Sequence, residues 1–168
     1  MVQLADEQMN EIKTQFRGMG DVVLGFSRKP YEKLISWEAS RYRDIYLINI
    51  KTGERHLLMT KKSSTMDISP HGKYILWYET MDSSWYAHDI ARDRLISLTN
   101  QIPVNFYEET FDEPNEPNPY GFAGWSEDDR FIYIYDRYDL WKIDLTEKHK
   151  PLNLSNEFGR KNKIQLRY

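Results

Sequence analysis

Apolar and aromatic residues recur along the chain in blocks of five or six, and polar turns separate the blocks. The segments DISPHGKYILWYE (67–79) and GWSEDDRFIYIYD (124–136) repeat one pattern: a small polar residue, a tight turn, a basic residue and an apolar run. Blocks of this length bounded by turn residues read as strands. Tyr74–Tyr78 and Phe131–Tyr135 do not alternate cleanly with polar residues, so both faces of each strand are expected to be covered. In the first turn Pro70 presets φ and Gly72 can take positive φ. In the second, Asp129 stands in the glycine's place, and Asp is one of the few other residues that tolerate the left-handed region.

The elements after each turn match as well. SSWYAHDIARDRLISLTN (83–100) and YDLWKIDLTEKHKPLNLSN (138–156) each give an aromatic strand, a polar turn and an amphipathic strand, and RDIYLINIKTGERHLLM (43–59) ends the same way. The turns open at Asn49, Asp89 and Asp144, in steps of 40 and 55 residues. A period near 40–45 residues with four strands is the mark of a propeller blade. The longer step is explained by one insertion, QIPVNFYEETFDEPNEPNPYG (101–121), whose Pro, Asn and Glu content reads as a loop.

The expected fold is therefore all-β, a partial β-propeller of two to three four-stranded antiparallel blades. A partial or variant blade is placed at 21–62, a blade at 63–100, an acidic Pro-rich inter-blade loop at 101–120 and a blade at 121–157. Residues 158–168 would start a further blade. Strands are expected near 22–27, 44–50, 55–59, 65–69, 74–79, 84–90, 94–98, 121–125, 131–136, 139–144 and 151–154. Residues 1–20 allow two readings. Leu4, Met9, Ile12 and Phe16 fall near helical spacing, which would give a short amphipathic helix over 5–17. The repeat favours the end of a preceding blade, or a linker. A propeller closes with at least four blades, so the segment is expected to be part of a larger protein, with exposed blade edges that can self-associate.

Composition narrows the picture without changing it. The 168 residues carry 23 basic and 26 acidic side chains, a net charge of −3, which gives no case for nucleic acid or an anionic membrane. No run is long and apolar enough to span a bilayer, and MVQLADEQMN lacks the features of a signal peptide. Cysteine is absent, which removes disulfides and thiolate metal sites. Aromatic residues reach 14%, in keeping with strands.

Catalytic motifs are missing. GFSRK (25–29) lacks the second glycine of a nucleophile elbow, and GMGDVV (18–23) fails the dinucleotide fingerprint at its third glycine. His56, His71, His88 and His149 show no metal-ligand spacing and read as surface residues near turns and strand ends. No catalytic residue, metal site or cofactor is assigned. The basic groups RKNK (160–163) and TKKSS (60–64) read as solvated faces.

SPHGKYILWYE resembles the repeat of TolB-like propellers, with His71 where that repeat carries Asp. NPYGFAGWSEDDRFIYIYDRYDLWKIDLT (118–146), NLSNEFGRKNKIQLRY (153–168) and YEKLISWEASRYRDIYLINIKTGE (31–54) are similar to the N-terminal propeller of bacterial prolyl oligopeptidase-family serine peptidases of the Bacteroidetes type. The resemblance runs from about residue 21 onward. It implies a propeller that gates and positions peptide substrate for a C-terminal α/β-hydrolase domain, in a protein exported to the periplasm or cell envelope. No stretch here matches the hydrolase half, so no triad residue carries over. The alternative is a TolB-like propeller binding module, a protein or glycan scaffold without a hydrolase.

One segment stands out as a candidate site. NFYEETFDEPNEP (105–117) holds five carboxylates within nine residues: Glu108, Glu109, Asp112, Glu113 and Glu116. It reads as a solvated acidic loop stiffened by proline, as a calcium site of hard oxygens, or as a receptor for a peptide's α-ammonium group. FYEET resembles the aromatic-Tyr-Glu-Glu stretch that receives the substrate amino group in dipeptidyl peptidase IV. That resemblance implies substrate-binding roles for Tyr107, Glu108 and Glu109, although the distance to the following strand is longer here.

Overall fold

The computed structural model describes residues 2–9, 11–15, 20–34, 41–114 and 116–168. Twelve strands make up the described residues apart from turns and two short helical segments. They are β1 (Glu11–Lys13), β2 (Val22–Ser27), β3 (Arg43–Asn49), β4 (Arg55–Lys62), β5 (Met66–Ile68), β6 (Tyr74–Glu79), β7 (Ser84–Asp89), β8 (Arg94–Ser97), β9 (Phe122–Trp125), β10 (Phe131–Tyr135), β11 (Leu140–Asp144) and β12 (Leu152–Asn153). A 3-10 segment covers Lys29–Leu34, and helix α1 covers Phe158–Asn162. The strands form three four-stranded sheets in the orders β1-β2-β3-β4, β5-β6-β7-β8 and β9-β10-β11-β12. Neighbouring strands pair antiparallel. The fold class is all-β, built of sheets with the up-and-down order of propeller blades, and the strand positions follow the repeat in the sequence.

The chain divides into two compact units, Met1–Lys73 and Tyr74–Tyr168. In the first, Met9, Val23 and Ile48 form a small core with Leu4, Ile12 and Tyr46 packed against it. Here the N-terminal stretch differs from both sequence readings. Glu11–Lys13 is neither helix nor the end of another blade; it pairs with β2 as the first strand of this sheet. Gly25, opposite Ile12, makes this possible: a Cβ there would collide with the Met9 sulfur and come within 2.6 Å of Ile48 Cδ1. Lys13 then anchors the strand through the Asp67 carboxylate at 3.0 Å and the Met66 carbonyl at 2.8 Å. Phe16, the last residue of the helical spacing, lies outside the described residues.

In the second unit one core joins β6–β8 to the third sheet. Tyr74, Leu76, Trp85, Ala87 and Ile96 meet Ile132, Ile134, Ile143 and Leu145 in it. Two meanders sharing one core is how successive blades pack face to face. Tyr74–Tyr78 is buried throughout, as its unbroken apolar run requires, whereas Phe131 and Tyr133 keep partial exposure.

The two turns that signalled the repeat have the geometry that their residues demand. The Gly72 N–H donates to the Ser69 carbonyl at 2.9 Å, with Gly72 at φ 71°. The Asp129 N–H donates to the Ser126 carbonyl at 3.1 Å, with Asp129 at φ 64°. The second family of turns opens, in each sheet, on a side-chain oxygen that accepts backbone N–H groups. Asn49 accepts from Lys51 and Thr52, Asp89 from Arg92, and Asp144 from Thr146. These are Asx turns.

Residues 158–168, expected to open a further blade, instead form α1 and an extended tail held on the third sheet. The Leu166 N–H donates to the Tyr138 carbonyl at 2.8 Å, and the Tyr168 N–H to the Tyr135 hydroxyl at 2.7 Å. The physical reason is Gly159. Its N–H donates to the buried Asp139 carboxylate at 2.9 Å, which turns the chain before a strand can begin.

Candidate functional site

The insertion at 101–121 is tied down at its base. Ile102 and Phe106 are buried in the core of the second unit, and the Phe106 ring meets Trp141 edge-on at 6.4 Å. Above this anchor the two arms pair. The Tyr120 N–H donates to the Phe106 carbonyl at 3.0 Å, the Glu108 N–H donates to the Asn118 carbonyl at 2.8 Å, and Tyr107 bridges Pro119 antiparallel. The Phe111 N–H closes a turn on the Glu108 carbonyl at 3.2 Å. The insertion is thus a short stalk carrying a turn. Pro and Asn predicted the loop, but only the spacing of Ile102 and Phe106 in an otherwise polar stretch could have signalled the anchor.

The three candidate residues sit at the top of the stalk. Tyr107 is half-buried, and Glu108 and Glu109 are exposed. Glu109 is held from three sides. Asn105 Nδ2 donates to its carboxylate at 3.1 Å, Arg137 approaches the same carboxylate at 3.9 Å, and its backbone N–H donates to the Tyr120 hydroxyl at 3.1 Å. Burial pushes the Tyr120 hydroxyl pKa up; the Glu109 N–H opposes that shift, and the negative charges of Glu109 and Glu108 add to it. Glu108 has no such side-chain tether among the described residues. The two neighbouring carboxylates therefore differ: Glu109 is oriented and partly neutralised, and Glu108 faces solvent.

The other loop carboxylates, Asp112, Glu113 and Glu116, are exposed. Among the described residues no group of three or more His, Asp or Glu side chains is arranged to hold a metal ion. Beside the stalk lies an open cavity of about 340 Å³. Ile102, Val104 and Phe106 form its apolar side, and Asp82, Asn105 and Tyr107 are among its polar lining. The tethered Glu109 thus stands next to a concave surface through Asn105.

The sequence reading missed a second polar constellation, in the turn between β10 and β11 of the third sheet. Asp136 and Asp139, both fully buried, face Arg160 of α1. Asp136 accepts from the N–H groups of Tyr138 and Asp139 and from Trp141 Nε1, while Asp139 accepts from the Ser155 hydroxyl. Every one of these contacts is internal to the chain, so the cluster is a structural lock. The histidines divide: His56, His71 and His149 are exposed, but His149 Nδ1 lies 2.6 Å from the Asp144 carboxylate, and half-buried His88 faces Asp93 at 3.3 Å.

No family model matches the chain. No curated protein matches it either. Among solved structures the chain is similar to "TolB from Acinetobacter baumannii", at 15% identity and a TM-score of 0.38, over 87% of this chain and 43% of that one. The chain thus spans less than half the length of that protein. No helix among the described residues is long and apolar enough to cross a membrane.

Proposed function

We propose that the chain is a non-catalytic, peptide-binding propeller segment in which Glu108 and Glu109 receive the α-ammonium group of a peptide. The observation that carries this reading is the stalk. Ile102 and Phe106 root the loop in the core, and Asn105, Arg137 and Tyr120 fix Glu109, so the site is ordered before a ligand arrives. Pre-ordering removes part of the entropy cost of binding. A cation placed there gains charge-assisted hydrogen bonds from acceptors that already repel one another. In the prolyl oligopeptidase-type arrangement that the sequence resembles, such a segment would position substrate for an α/β-hydrolase domain, to which hydrolysis itself is assigned.

The test uses the 168-residue chain and short peptides with free or acetylated N-termini, with binding followed by titration calorimetry. Free-N-terminus peptides are expected to bind at least about tenfold more tightly, the scale of one hydrogen bond to a charged group. Glu108→Gln with Glu109→Gln should erase the difference. Equal affinity for both peptide classes, or a preference that survives the double substitution, would overturn the reading in favour of a scaffold that recognises some other feature of its partner.

A further inference from the structure

Between the end of β8 and the turn that follows β11 lies a cavity of about 280 Å³, lined by none of the carboxylates of the acidic loop. Its apolar side is Ile96, Leu98 and Ile143, and its polar side includes Lys148, His149 and Lys150. Asp144 and Glu147 line it as well, so the charge left to a ligand depends on how those two acids are paired.

Each acid near this cavity is already matched by a base. Asp144, with a side chain only 1% exposed, is paired with Arg130 at 3.1 Å and accepts from Thr146. Glu147 is paired with Arg94, reaching from one sheet to the next. Lys148 and Lys150 have no ion-pair partner among the described residues, so their two charges are left over.

His149 adds a third polar group. At 2.6 Å from the Asp144 carboxylate its Nδ1 must carry the proton, because two acceptors do not approach so closely. The Arg130 nitrogen 3.1 Å from the same Nδ1 therefore shares the carboxylate rather than donating to the ring. The tautomer is fixed by the buried acid, which leaves Nε2 for other partners and, when protonated, as a donor.

We propose that this cavity is a binding site for a small oxyanion, such as phosphate or a carboxylate, held by Lys148, Lys150 and His149. The inference does not rest on the peptide-binding reading, because Tyr107, Glu108 and Glu109 take no part in it.

The experiment is a titration of the isotopically labelled chain with inorganic phosphate, and separately with acetate, followed by amide chemical shifts in two-dimensional NMR. Sodium chloride at matched ionic strength serves as the control. Saturable shifts are expected at Gln101 and Lys148–Lys150 with phosphate. Saturation with acetate as well would place carboxylates in the ligand class; phosphate alone would restrict the class to the more highly charged oxyanion. Lys148→Gln with Lys150→Gln should weaken phosphate binding at least about tenfold. The preserved spectrum of the remaining residues reports that this variant is folded. Shifts that follow chloride equally, fail to saturate, or persist unchanged in the double variant would overturn the proposal.

Discussion

Arg160 Nη2 lies 3.0 Å from the carboxylate of Asp136, and one guanidinium thereby answers two fully buried acids, since Asp139 stands 4.0 Å from Arg160 Nε. The arrangement joins two stretches 24 residues apart, YDRYDLW and GRKNKI. Gly159 completes it: a Cβ there would meet the Tyr138 carbonyl at 2.5 Å and Asp139 Oδ1 at 2.8 Å. The lock fixes the tail over the third sheet.

Removing the base should therefore cost more than removing the acids. Arg160→Met leaves two buried carboxylates without their cation. Breaking a fully buried pair costs about 3–5 kcal/mol; with the guanidinium 39% exposed, about 2–3 kcal/mol is expected here. Urea unfolding at neutral pH measures it. Adding Asp136→Asn and Asp139→Asn to Arg160→Met should recover part of the loss, and strict additivity of the three changes would rule the lock out as the source.

Acid should act first through Asp144 and Asp89. Burial alone would raise the Asp144 carboxyl, but hydrogen bonds from Arg130, Thr146 and His149 outweigh it and hold the group well below the usual carboxylate range. Asp89 is likewise pushed up by burial and brought below its ordinary value by Arg92. A carboxyl with a lower pKa folded than unfolded gives its full contribution above the unfolded value, about 4. That contribution is lost as pH falls from there through the folded value. Urea midpoints measured from about pH 7 to pH 3 should thus decline on the acid side. Asp144→Asn should lower the neutral plateau and flatten that decline. An acid limb identical to that of the parent would remove Asp144 from the account.

These outcomes depend on contacts whose visibility in the sequence was uneven. Turns were readable because Gly72 and Asp129 are residue types that accept positive φ, and both take it. Strand blocks were readable because Tyr74–Tyr78 has no polar position to offer solvent. β1 was hidden: Glu-Ile-Lys has no apolar pattern of its own, and its place is set by the missing side chain of Gly25 and the reach of Lys13 to Asp67. The tail was misjudged because GRKNKIQLRY carries strand-like residues after a glycine whose N–H is committed to Asp139. For the candidate site, Tyr107, Glu108 and Glu109 could be named from sequence. The partners that fix Glu109 could not, since Arg137 comes from the turn between β10 and β11.

Association should run through an open strand edge, and β4 offers the longest. Among the described residues it pairs only with β3 in its sheet, spans eight residues and leaves Leu57 45% exposed. Unpaired edges recruit other chains, and charged residues oppose this; Arg55, Lys61 and Lys62 supply some of that opposition here. Leu57→Lys adds a further charge at an exposed position and should raise the monomer fraction in light scattering, with a stability change within about 0.5 kcal/mol. An unchanged mass distribution would direct attention to other strand edges.

Arg137 competes with any cation for Glu109. The two side chains are each one-third exposed and 3.9 Å apart, a pair worth less than about 1 kcal/mol to stability. Arg137 also packs over the Tyr138 ring at 5.3 Å, and its carbonyl accepts from Arg167 at 3.3 Å. Arg137→Gln keeps the backbone acceptor and side-chain bulk while removing the charge. The melting temperature should hardly move. The Glu109 carboxylate, still oriented by Asn105, would then present its full charge to an incoming ammonium group. Binding of free-N-terminus peptides should tighten by about two- to fivefold, the equivalent of the surface pair that was given up. Acetylated peptides, which carry no ammonium group, should show no gain. Weaker binding of the free peptides would mean that Arg137 contacts the ligand itself, and the site would have to be redrawn with a cation inside it.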